Sequence, residues 1–131
     1  MNEAGPAGPL ELVHQAYNAW NWFGTERFGD FLSEDVVLED APEMPDARVT
    51  RGSGDAVARL DEVAASVGGG WVEIRAMEKV AGSVLVGMTW NLDDGGASGA
   101  RVGEVWHLID VADERITRIR VFLDRESATR I

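Results

Sequence analysis

Apolar residues along the chain follow two different periods. From Leu10 the spacing is helical: Leu10, Val13, Tyr17 and Trp20 recur every three or four residues and form one stripe. Pro9 suits the first turn of this helix, where a missing N–H costs nothing, and Gly24 supplies a stop. Thr25 is placed to cap a short second helix carrying Phe28, Phe31 and Leu32. Ser53 is placed to cap a third, with Val57, Leu60, Ala64 and Val67 on one face and Gly68-Gly69-Gly70 ending it. Between them Val36–Asp40 reads as a strand, broken by Ala41-Pro42 and Pro45, and Arg48–Arg51 as a shorter one.

Past residue 70 the period changes to that of a sheet. Trp71–Val80, Val84–Leu92, Val102–Ile109 and Ile116–Leu123 are predicted strands. They are joined by Ala81-Gly82-Ser83, by a longer Asp93–Gly99 turn and by Asp113-Glu114. Consecutive strands with short connections are antiparallel. Helices followed by strands predict an α+β domain, its helices on one face of a bent sheet. Residues 1–9, rich in Gly, Pro and Ala, are expected to be flexible, leaving 10–131 as one domain.

Strand phase assigns faces. In the last strand Thr117, Ile119, Val121 and Leu123 alternate with Arg118, Arg120 and Phe122. The apolar set is expected inside. The Arg/Phe set, with Val105 and Ile109 on the neighbouring strand, predicts a homodimer interface, where arginine and aromatics are enriched. Glu104 is in phase with Val102, Trp106 and Leu108, which places it on the buried face. A carboxyl there must be paired, neutral or in a cavity; the paired alternative is an ion pair with Arg101 or Arg120. His107, in the opposite phase, reads as a surface or interface residue, and His14 as solvated.

Composition narrows the function. The chain has 131 residues, 12 basic and 23 acidic, for a net charge of −11. Such a surface argues against nucleic acid or an anionic membrane as partner. The absence of cysteine excludes disulfides, thiolate metal sites and thiol nucleophiles. No apolar run approaches the roughly 20 residues of a membrane helix. Glu3, with no basic residue before an apolar core, is unlike a signal peptide, so a cytoplasmic protein is expected. The acidic run Glu34, Asp35, Glu39, Asp40, Glu43 and Asp46 lacks the spacing of a calcium loop and reads as a solvated segment, so no metal is expected. No glycine-rich phosphate loop follows a strand, so no organic cofactor is expected.

Two segments carry a resemblance: VVLEDAPEMPDARVTRG before the third helix, and GEVWHLIDVADERITRIRVFLDRESA at the end. Over about residues 10–129 the chain resembles the NTF2-like superfamily, and within it the SnoaL-like domains. That resemblance implies a cone of three N-terminal helices packed on a strongly curved antiparallel sheet around an apolar pocket. The superfamily includes isomerases, polyketide cyclases, epoxide hydrolases, dehydratases and members that only bind or oligomerise, so it implies a fold more than a chemistry. The limonene-epoxide-hydrolase pattern fails, because its polar positions are occupied here by Leu38, Asp40, Met88, Trp90 and Val121, of which Asp40 alone is polar.

The ketosteroid-isomerase pattern fits better. It implies Asp40 as base, with Tyr17 and a protonated Glu104 holding an enolate oxygen. Glu in place of Asp, and the lack of a second nearby tyrosine, are departures. Trp20, Met88, Trp90, Trp106 and Val121 are expected to wall the pocket. Each residue also has a plainer reading: Asp40 ends a strand before a turn, Tyr17 is a core tyrosine, and the tryptophans pack the core. The function expected is a small-molecule isomerase or cyclase acting by proton transfer next to a carbonyl on a polyketide- or steroid-like compound. The alternative is a non-catalytic small-ligand-binding or dimerisation module of the same fold.

Overall fold

A computed structural model describes residues 8–66, 71–91 and 101–130. The expected Gly68–Gly70 stop, Val67 and the Asp93–Gly99 turn lie outside the described residues. In chain order the elements are α1 (Pro9–Phe23), α2 (Thr25–Gly29), β1 (Leu32–Glu39), β2 (Val49–Arg51), α3 (Ser53–Ser66), β3 (Trp71–Val80), β4 (Ser83–Asn91), β5 (Arg101–Ala112), β6 (Arg115–Phe122) and α4 (Arg125–Thr129). The architecture is α+β, with helices packed on a curved, unclosed six-stranded sheet of order β2-β1-β6-β5-β4-β3. Neighbouring strands are antiparallel except β1 and β6, which run parallel, so the sheet is mixed. Register breaks in four of its strand pairs, at Leu32/Val37, Ile74/Ala76, Trp90/Asn91 and Asp110/Val111, mark where it bends. Among the described residues no helix is long and apolar enough to cross a membrane.

The α1 stripe is buried as its period requires, with Val13, Ala16, Tyr17 and Trp20 in the core. Thr25 does not cap α2. Gly24 takes that position, and the Thr25 hydroxyl donates instead to Asp61 on α3, tying the two helices together. Phe31 and Leu32 fall outside α2, because β1 begins at Leu32, four residues before Val36. α4 is not foreshadowed by the strand pattern. Asp124 caps it, accepting a hydrogen bond from Ser127 N at 2.7 Å.

The β5 phase departs from expectation by one residue. His107 pairs with Val86 on one side and Val121 on the other, and all three are buried. Val105, His107 and Ile109 therefore face the helices. Trp106 and Leu108 face outward, into a second small core with Leu85, Phe122 and Ala128 of α4. Glu104 belongs to this outward set and is exposed. Val105 and Ile109 accordingly cannot join Arg118, Arg120 and Phe122 in an outer-face interface, as the sequence pattern had suggested.

Candidate functional site

Between the helices and the concave face of the sheet lies a cavity of about 290 Å³. Most of its wall is apolar: Trp20 from α1, Leu38 from β1, Leu60 and Val63 from α3, Trp90 from β4 and Val121 from β6. Trp20 meets Trp90 edge to face at 5.9 Å, so the aromatic wall is built from α1 and β4, and Phe28 of α2 backs Trp20 at 5.3 Å. Three polar residues of the inner face also line the cavity, Asp40, Arg59 and His107, and outward-phase Glu104 borders it.

The first polar unit is His107 with Tyr17. The Tyr17 hydroxyl and His107 Nδ1 are hydrogen bonded at 2.5 Å, and both residues are buried. Tyr17 does not line the cavity; it stands behind the imidazole, packed on Trp20 and Phe28. Burial lowers the His107 pKa to about 4 and raises that of Tyr17 well above the usual phenol. Both are therefore neutral at physiological pH.

The second unit is Asp40 with Arg59. Arg59 Nε and Nη2 donate to Asp40 Oδ2 at 2.9 and 2.7 Å, and Arg48 N donates to the same oxygen at 3.1 Å. Their side chains are 6% and 2% exposed, so this is a buried ion pair. Arg59 continues outward to Glu62, which also binds Arg48, giving a charge chain from cavity to surface. The hydrogen bonding to Asp40, and to a lesser extent that to Glu62, raises the Arg59 pKa against its own burial, and the guanidinium stays charged. Among the described residues no cluster of His, Cys, Asp and Glu is arranged to hold a metal.

TerC co-crystallised with polyporic acid superposes with a TM-score of 0.73 at 18% identity, covering 92% of this chain and 94% of that one. An NTF2-like protein of unknown function from Cytophaga hutchinsonii gives 0.68 at 14%, covering 96% and 98%. A protein with a ketosteroid isomerase-like fold from Catenulispora acidiphila, in complex with trimethylamine, gives 0.67 at 16%, covering 88% and 86%. The fold is NTF2-like. No protein-family profile and no curated protein matches the sequence.

Within this NTF2-like cone the predicted residues part company. Asp40, Trp20, Trp90 and Val121 line the cavity, and Glu104 reaches its wall from an exposed position. Glu104 keeps the outward phase of Trp106 and Leu108, but that face is exposed at its position, so the buried apolar surrounding expected for it is missing. Met88 is fully buried in the core and does not line the cavity. Trp106 is on the opposite face of the sheet, under Arg125 of α4. Two polar residues of the cavity, His107 and Arg59, were not expected there. Arg59 had a signal in the sequence: it lies on α3 three residues after Ala56 and one before Leu60, and all three are buried.

Proposed function

We propose that the cavity takes a small, mostly apolar carbonyl compound and moves a proton beside the carbonyl, as in isomerisation or aldol-type cyclisation. The observation that carries this reading is that a neutral imidazole and a carboxylate fixed by Arg59 reach one mostly apolar cavity. Asp40 Oδ2 is held by three donors, while Oδ1 has no hydrogen-bond partner among the described residues. Oδ1 takes the proton from the carbon next to the carbonyl. The C–H electron pair becomes the C=C bond of an enolate, and the carbonyl π pair moves onto oxygen. His107 holds that oxygen by a hydrogen bond. Return of the proton to a different carbon completes an isomerisation. Attack of the enolate carbon on a second carbonyl, with the proton passing to the new alkoxide, completes an aldol closure. A neutral imidazole is suited to the first task, since it can donate to an oxygen without giving up a full charge. Small molecules seated on the same fold in TerC and in the trimethylamine complex support a ligand-binding use of the cone.

One observation favours a second reading. The three donors on Asp40 Oδ2 suit a carboxylate that anchors the cavity wall as well as one that moves protons, and the protein would then bind without catalysis. The two separate in D₂O with 2-tetralone as probe. The proposal expects saturable quenching of tryptophan fluorescence and accelerated exchange of the α-hydrogens by NMR, the exchange lost in Asp40→Asn. Saturable quenching with exchange at the buffer rate establishes the binding module. Absence of saturable quenching overturns both.

A further inference from the structure

We infer that Tyr17 is a positioning residue: its hydroxyl donates to His107 Nδ1, fixes the imidazole proton on Nε2, and makes His107 a pure hydrogen-bond donor toward the cavity. The ligand is then selected for an acceptor oxygen, a ketone or quinone rather than an alcohol. This rests on the reading that the cavity is the ligand site, but not on catalysis.

The argument is one of counting donors and acceptors. Tyr17 is fully buried, and among the described residues its hydroxyl has a single hydrogen-bond partner, His107 Nδ1. A phenol has one proton to give, and a neutral imidazole has one donor and one acceptor nitrogen. If Nδ1 carried the proton and donated to the phenol oxygen, the phenolic proton would be buried with no acceptor, which proteins avoid. If the hydroxyl donates to Nδ1, the phenolic proton and Nδ1 satisfy each other and Nε2 carries the hydrogen. Nε2 has no partner among the described residues, and His107 borders the cavity. Burial lowers the His107 pKa and raises that of Tyr17, which disfavours an imidazolium–phenolate pair. An alcohol can accept from Nε2–H, but its own proton then faces a largely apolar wall. A ketone leaves nothing unpaired.

The test is ¹⁵N–¹H correlation NMR of the side-chain nitrogens in uniformly labelled protein. The chain has two histidines, and exposed His14 serves as the solvent reference. Between pH 6 and 8 the expected pattern for His107 is an unprotonated Nδ1 and a protonated Nε2, with no averaging between tautomers. Tyr17→Phe should release this preference and give averaged shifts. Binding of 1-indanone against 1-indanol should favour the ketone by about tenfold, equivalent to about 1.4 kcal/mol, and the ratio should fall toward one in Tyr17→Phe. A wild-type spectrum with the proton on Nδ1 overturns the inference, whether or not the variant folds. So does a Tyr17→Phe spectrum identical to wild type. An Nε2–H tautomer with ketone preference but no α-exchange in 2-tetralone leaves the inference standing and removes only the proton-transfer reading.

Discussion

Replacing Arg59 by methionine should be among the most costly changes in this protein. Methionine keeps much of the aliphatic stem but removes both guanidinium donors, at 2.7 and 2.9 Å, from Asp40 Oδ2. The Asp40 carboxylate, 2% exposed, is then left with the Arg48 backbone N–H at 3.1 Å. Breaking a buried pair in this way costs about 3–5 kcal/mol, because the remaining charge is neither solvated nor compensated. The bond from Arg59 to Glu62 adds little, since Glu62 is more than half exposed and solvent screens it. Against a total of about 5–15 kcal/mol for a domain, the loss is large. Asp40→Leu in the same chain removes the stranded charge, and Arg59→Met/Asp40→Leu should recover most of the deficit. Urea unfolding of wild type, both single variants and the double variant gives the coupling directly. A cost below about 1 kcal/mol for Arg59→Met, or strictly additive single effects, would show that the pair is not the buried element described.

Other outcomes follow from the same physics. His107 has a folded pKa of about 4 against an ordinary value near 6.5, so its neutral form stabilises the fold above the unfolded pKa and that stability is lost as pH falls through this window. Between pH 7 and 4 wild type should lose roughly 3 kcal/mol more than His107→Gln in parallel denaturant titrations; equal losses would refute the assignment. Gly87→Ala places a methyl group 2.5 Å from the Trp106 ring, which lies across that glycine. It should destabilise by about 1–3 kcal/mol through overpacking, and an unchanged melting temperature would count against this packing. Asp113 and Glu114 both adopt positive φ in the β5–β6 hairpin. Glu114→Gly creates the favoured Asp-Gly turn and should stabilise by about 0.5 kcal/mol, measurable as a rise in urea midpoint.

The sequence by itself determined the order of elements from α1 to β6, the α1 stripe and the faces of β6, because each of these rests on local period. Val13, Tyr17 and Trp20 fall on one side of α1 whatever they meet, and Ile119 and Val121 separate cleanly from Arg118 and Arg120. What it left open is the phase of β5, and the reason is physical. A strand shows its inner face by alternation only when the other face is wet. Here α4 covers the outside of β5 with Ala128, so Trp106 and Leu108 are as buried as His107 and Ile109. Both phases are mostly apolar, within residues 102–109 each carries one ionisable residue, and no count along the chain tells Glu104 from His107. The tertiary structure decided it by register: pairing His107 with Val121 puts the imidazole on the concave face beside Tyr17, 90 residues away. The same holds for Asp40 and Arg59. Nineteen residues and a turn separate them, and the packing of α3 against the end of β1 turns a strand-end aspartate and a helix arginine into one buried pair.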